Sequence, residues 1–113
     1  MNIQIFGTNK CFETKKAQRY FKERGIKFQF VDISKYPMSP GEFNNVVHAL
    51  KLPIREMINK KSKDYEKSFV AYLADDAVED KLFETQTLFI TPVVRNGKQA
   101  TVGYCPDVWK NWD

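Results

Sequence analysis

Apolar and polar residues alternate at the start of the chain: Asn2-Ile-Gln-Ile-Phe6 reads as a strand with Ile3 and Ile5 on one face. A polar turn, Gly7-Thr8-Asn9-Lys10, leads to Cys11, and the period then changes. Ala17, Tyr20 and Phe21 stand at i, i+3 and i+4, which predicts a helix from Phe12 with one buried stripe, and Gly25 is placed to end it. Alternation returns over Lys27–Ile33, with Phe28, Phe30 and Asp32 on one side and Val31 and Ile33 on the other. Ser39-Pro40-Gly41-Glu42 then combines a Ser N-cap, Pro at N1 and Glu at N3, a capping-box signature. Phe43, Val46, Val47 and Leu50 give the helix behind it an apolar face, and Pro53 closes it.

Ile54, Met57 and Ile58 open another short segment, Lys60–Lys67 reads as a basic connector, and Asp75–Glu84 as an acidic helix with Val78 and Leu82 on one side. Leu88–Val94 and Gln99–Gly103 flank Arg95-Asn-Gly-Lys98, a strong hairpin signal. Asp107 is placed to cap a last helix carrying Val108, Trp109 and Trp112. The order is β-α-β, a helical block over about residues 39–87, then β-β-α. Two parallel strands joined by a crossover helix, followed by a hairpin, make an α/β fold.

Composition narrows what this fold can do. The 113 residues suit one domain, 1–113, and 42% apolar with 28% charged residues is a globular balance. The longest apolar run, Phe69 to Ala74, is far short of the ~20 residues that cross a bilayer. The opening strand leaves no room for a basic region followed by an apolar stretch, so neither a cleaved signal nor a membrane partner is expected, and the location expected is cytoplasmic. Two cysteines are too few for a disulfide scaffold, and a single histidine, His48, gives a metal little to bind, so no metal or bound cofactor is expected. His48 lies beside Val47 with no Ser/Asp partner pattern and reads as a surface residue. The net charge is +4, and seven basic residues against two acidic ones lie between Lys10 and Lys27. Aromatic residues fall at core spacing and do not interleave with these cations as a stacking platform would, so direct nucleic-acid binding is not expected.

The chemistry concentrates at Cys11, directly after a strand and at the start of a helix. A helix N-terminus offers unpaired N–H groups and partial positive charge, which favour a thiolate, and the thiolate is the nucleophile. Lys10, Lys15 and Lys16 add cations and Glu13 opposes them. The competing reading is a half-buried cysteine that fills an N-cap position. The lysines are most simply a solvated helix face; their functional reading is attraction of an anionic thiol such as glutathione. Pro92 is the second clue, because proline inside a strand pattern marks an edge, a strand start or a special backbone geometry. Cys105 is either a resolving thiol for an adduct at Cys11 or a small apolar residue under the last helix. Trp109 and Trp112 read as a terminal staple or an exposed protein contact.

Taken in order, these features resemble the arsenate reductase family of the thioredoxin-like superfamily, which includes glutaredoxin-linked arsenate reductases, Spx regulators and YffB-type proteins. The resemblance runs through Cys11-Phe-Glu-Thr-Lys-Lys-Ala17, Val31-Asp-Ile33, Pro37-Met-Ser-Pro40, Asn59-Lys-Lys-Ser62 with Tyr65, Ile90-Thr-Pro-Val-Val94 and Val102-Gly-Tyr104. It implies a thioredoxin-like fold with a mixed four-stranded sheet and a helical insertion, a nucleophilic Cys11, a cis Pro92, and glutathione or glutaredoxin as partner and co-substrate. The Spx branch implies instead a non-catalytic module that binds a protein such as RNA polymerase. Thr14 stands where Spx switches carry their second cysteine; it cannot form that disulfide but can hydrogen-bond a thiolate. The arginines that hold arsenate in its reductases fall here at Thr91, near Asn59, and around Tyr104 or Cys105. Lys60 and Lys61 replace an arginine fork only as point charges. The thiol- and anion-binding set implied around Cys11 is therefore Lys10, Thr14, Lys15, Asn59, Lys60, Lys61, Thr91 and Pro92, with arsenate itself disfavoured.

Overall fold

The structure, a computed structural model, describes residues 1–112. Four strands, β1 (Ile3–Gly7), β2 (Phe28–Asp32), β3 (Val93–Asn96) and β4 (Gln99–Val102), form one sheet in the order β2-β1-β3-β4. β1 pairs with β2 in parallel, Ile5 opposite Phe30, and with β3 antiparallel, Ile5 opposite Val94. β3 and β4 complete the antiparallel hairpin. The helices are α1 (Phe12–Glu23), α2 (Pro40–Leu50), α3 (Lys63–Lys67), α4 (Asp75–Glu84) and α5 (Pro106–Trp109).

The pleat sorts the core into two layers. Ile3, Ile5 and Val94 pack with Ala17, Tyr20 and Phe21 of α1 and with Trp109 and Trp112. Phe6, Val93 and Ile33 turn to the other side and join Phe43, Val46 and Leu50 of α2, Val78 and Leu82 of α4, and Met57, Leu88 and Phe89 of the connecting segments. Both tryptophans are thus core residues, and neither is an exposed contact. Gly25 ends α1 at φ +67°, a left-handed conformation that glycine adopts without penalty.

Four local expectations are corrected. Regular pairing in the third strand begins at Val93 and not at Leu88. Gln86–Leu88 is a 3-10 turn, and the chain between it and β3 pairs with the insertion. Asn59 N–H donates to the Leu88 carbonyl and Ile90 N–H to the Met57 carbonyl, each at 2.8 Å. Pro92 has no N–H to continue a ladder, so the strand restarts after it. Lys60–Lys67 is not merely a connector: Ser62 Oγ accepts from Asp64 N–H at 3.1 Å and caps α3, a helix with no buried residue and hence no apolar stripe to read. At Ser39 the hydroxyl accepts from Glu42 N–H at 3.2 Å, and only this half of the reciprocal box forms among the described residues. Cys105, not Asp107, holds the capping position of α5, without a side-chain cap, because Pro106 already occupies the first helical turn.

One buried polar residue fastens the insertion to the rest. Gln86, only 4% exposed, accepts from Met38 N–H and donates to the carbonyls of Met38 (3.0 Å) and Phe83 (3.2 Å). Its amide closes a bridge that backbone pairing does not provide.

Candidate active site

The site grows from the end of β1. Cys11 N–H donates to the Thr8 carbonyl, and the Cys11 carbonyl accepts from Lys15 N–H, both at 3.2 Å. Cys11 is therefore the N-cap of α1, in extended conformation, and its side chain makes no capping bond. The sulfur is left to face the loop before β3. There Thr91 Oγ1 donates to Cys11 Sγ at 3.0 Å, the Thr91 carbonyl lies 3.7 Å from the same sulfur, and the Thr91–Pro92 bond is cis.

Burial would push the Cys11 thiol up, but hydrogen bonding outweighs it. The hydroxyls of Thr14 and Thr91 and the N–H groups of Thr14 and Glu13 favour the anion and hold the thiol below its ordinary value. Thr14 is fully buried, and among the described residues its Oγ1 has no hydrogen-bond partner of normal geometry. An unpaired buried donor is costly, and ionisation of the neighbouring sulfur would supply it with a strong acceptor.

Gly7 makes this arrangement sterically feasible. A Cβ there would stand 2.4 Å from Thr14 Oγ1 and 2.6 Å from Thr14 Cγ2, so any side chain at residue 7 would push the first turn of α1 off the sheet. The turn is also held from β2. Ile33 N–H donates to the Gly7 carbonyl, and Asn9 Nδ2 reaches Asp32 Oδ2 at 3.5 Å. Asp32 accepts from both the hydroxyl and the N–H of Ser34; the hydroxyl contributes most to holding its carboxyl below the usual range.

Of the residues expected around the thiol, the structure brings Cys11, Thr14, Thr91 and Pro92 together. Lys10 and Lys15 are exposed cations flanking the thiol turn. Lys16 lies over the Tyr104 ring at 4.3 Å and pairs with Glu13 at 3.9 Å. Asn59 is fixed in the pairing that leads to Ile90, and its Oδ1 accepts from Lys61 N–H at 3.0 Å. Lys60 and Lys61 are exposed, and Lys60 lines a small cleft with Arg55, Ile58, Tyr65, Val70 and Ala71 that does not include Cys11. Both cysteines are free. Cys105 Sγ donates to the Val102 carbonyl at 3.3 Å, and burial pushes its thiol up against the opposing effect of the Thr101 hydroxyl. Gly7 and Asp32 enter the site without having been singled out. Gly7 read as part of a turn, and only its distance to Thr14 reveals its role.

A free cysteine at the N-cap position of the first helix of a β-α-β…β-β-α sheet, its sulfur facing the loop that ends in a cis proline, defines a thioredoxin-like protein with a helical insertion. Within that class, the chain belongs to the ArsC family, whose model matches residues 6–112. It is 26% identical over 111 residues to a global transcriptional regulator, Spx 2, of Oceanobacillus iheyensis, covering 95% of this chain and 80% of that one. An arsenate reductase from Vibrio cholerae superposes with a TM-score of 0.84 at 24% identity, covering 96% of this chain and 94% of the other. The glutaredoxin-like NrdH-redoxin of Escherichia coli shares the fold at a TM-score of 0.52 and 17% identity, covering 100% of this chain and 96% of the other.

Proposed function

We propose that the chain is a thiol oxidoreductase in which Cys11 is the nucleophile and glutathione the thiol partner. The observation that carries this reading is the sulfur itself, which accepts from Thr91 Oγ1 at 3.0 Å and is held toward the thiolate by the donors around it. In the reaction the Cys11 thiolate attacks one sulfur of oxidised glutathione, the glutathione S–S bond breaks, and a Cys11–glutathione mixed disulfide and one glutathione thiolate result. Attack by a glutaredoxin thiolate on the glutathione sulfur of the adduct breaks the mixed disulfide, forms a glutaredoxin–glutathione disulfide and returns the Cys11 thiolate. Resolution falls to that external thiol and not to Cys105, whose proton is committed to the Val102 carbonyl. Lys10 and Lys15 supply positive potential for an anionic thiol, with Thr91 and Pro92 forming the opposing wall. Free cysteines suit a reducing cytoplasm.

Arsenate is a poor substrate on this reading, because the chain's four arginines are engaged or distant. Arg55 is bound to Asp75 at 2.8 Å and to the carbonyls of Val70 and Leu73. Arg95 bonds Gly97 and Gln4, Arg24 stacks on Tyr20 at 3.7 Å, and Arg19 lies on α1 about two turns beyond Cys11. Mass spectrometry after exposure to oxidised glutathione is expected to show one adduct at Cys11, absent from Cys11→Ser. Arsenate-dependent NADPH consumption in a glutaredoxin-coupled assay is expected to be weak. Robust arsenate turnover lost in Cys11→Ser would overturn the substrate argument.

The identity shared with the Spx regulator favours a second reading, a regulatory module that binds a protein such as RNA polymerase without turnover. Thr14 in place of a second cysteine removes the disulfide form of such a switch. Failure of Cys11 to form an adduct under any oxidant, together with co-purification of RNA polymerase, would select this reading.

A further inference from the structure

The end of the sheet remote from Cys11 carries a polar row that the core does not need. Gln29, Gln4 and Arg95 stand side by side on β2, β1 and β3, on the face covered by α2. Gln4 Nε2 donates to Gln29 Oε1 at 3.3 Å, and Arg95 Nη1 donates to Gln4 Oε1 at 3.5 Å. Arg95 Nε donates to the Gly97 carbonyl at 3.0 Å, so two bonds fix the plane of the guanidinium. Beside this row lies a cleft of about 430 Å³, lined by Asn45, His48 and Ala49 of α2 and by Arg95, Gly97 and Lys98 of the β3–β4 hairpin.

The lining has no carboxylate, and among the described residues no acidic group pairs with Arg95 or Lys98. Among the described residues no hydrogen bond uses Arg95 Nη2, and Lys98 is exposed. His48 Nδ1–H donates to the Asn44 carbonyl at 2.8 Å, so Nε2 of the neutral ring is an acceptor, and the polar donor that α2 brings to the cleft is the Asn45 side-chain amide. Donors thus come from two sides, Arg95 and Lys98 of the hairpin and the Asn45 amide of the helix, and include a guanidinium held in place before any ligand arrives. Convergence from different directions suits a tetrahedral phosphate better than a planar carboxylate, and a positioned arginine with a lysine point charge is a phosphate-binding combination. The space exceeds that of a bare phosphate and falls within the range of small-molecule sites.

We infer that this cleft binds a small phosphate-bearing ligand, of the size of a sugar phosphate, at a site separate from the thiol. The test is titration of the ¹⁵N-labelled full chain with inorganic phosphate, ribose 5-phosphate and citrate, with sodium chloride at matched ionic strength as control. Saturable shifts of the Asn45, His48, Gly97 and Lys98 amides are expected with both phosphate compounds, tighter for the sugar phosphate. Lys98→Gln, on an exposed turn where the side chain makes no hydrogen bond or ion pair among the described residues, is expected to weaken binding about tenfold. Arg95→Lys is expected to weaken it further, with Cys11 alkylation unchanged in both variants. Shifts that do not saturate, that sodium chloride reproduces, that citrate matches at equal concentration, or that survive intact in Lys98→Gln would overturn the inference.

Discussion

Gly7→Ala is expected to destabilise the protein through a single collision, which Thr14→Ala relieves. The new methyl would stand 2.4 Å from Thr14 Oγ1, 2.6 Å from Cγ2 and 3.0 Å from Cβ. Real Cβ contacts below 3.0 Å are essentially absent, so the first two atoms must move by about half an ångström or more. Thr14 is fully buried and shares its helix face with Ala17 and Phe21, which are packed against the sheet, so the side chain has no free direction. Overpacking of this kind costs about 1–3 kcal/mol. For a chain of this length that is a fall in Tm of roughly 4–12 °C. Thr14→Ala alone removes one buried methyl, worth about 0.8 kcal/mol, but also removes an unpaired buried hydroxyl, so its net effect is expected to stay within about 1 kcal/mol. In the double variant only the 3.0 Å contact remains, and a coupling energy of about 1–2 kcal/mol is expected. The assay is thermal and urea unfolding of the four members of the cycle. A Gly7→Ala protein as stable as the parent, or a double variant no more stable than Gly7→Ala, would refute the argument that this glycine exists to admit Thr14.

Replacing either hydroxyl beside the sulfur by the isosteric valine removes a bond to the anion, so Thr14→Val and Thr91→Val are each expected to lower the thiolate fraction near neutral pH by about tenfold; iodoacetamide kinetics against pH read this as an inflection moved upward. In the parent chain that inflection is expected below the free-thiol value of about 8.5. Asp32 has a folded pKa below its unfolded one, so it contributes stability above the unfolded value and loses it as pH falls through the folded value. Asp32→Asn is therefore expected to be less stable than the parent at neutral pH, with the difference closing in acid, as urea midpoints over a pH series would show. Gln86→Leu leaves the N–H and carbonyl of buried Met38 without their partner and is expected to cost about 2–4 kcal/mol in urea unfolding.

How far the sequence reveals this molecule depends on the range of the interaction involved. β1, α1, β2, α2 and the hairpin are legible because each carries its own signal: alternation around Ile3 and Ile5, the Ala17-Tyr20-Phe21 stripe, Ser39-Pro40, and Asn96-Gly97. Cys11 is legible too, since its place between strand and helix is a local fact. What escapes is decided between distant segments. Leu88 to Ile90 looks like a strand because its residues are apolar, yet its partner is the 57–59 segment of the insertion. The hydrogen bonds of Gln86 to Met38 span 48 residues and leave no periodic trace. Gly7 looks like any turn glycine until Thr14 is placed against it.

These long-range contacts also determine what the thiol can become. The sulfur touches two chain segments, and neither position is set by α1 alone. Thr14 depends on Gly7 for its depth, while Thr91 depends on Ile90, whose N–H is fastened to Met57 in the insertion. The insertion is therefore part of the mechanical support of Thr91, although its own lysines lie outside the contacts of the sulfur. At the two positions where the family resemblance implies a cysteine and an arginine, Thr14 and Thr91 present two neutral donors in place of a second thiol and an anion clamp. Neutral donors stabilise a thiolate without attracting or gripping an oxyanion. Under the proposed function, Cys11 is a nucleophile prepared for exchange with another sulfur, and specificity falls to the surface formed by Lys10, Lys15 and the Thr91–Pro92 segment.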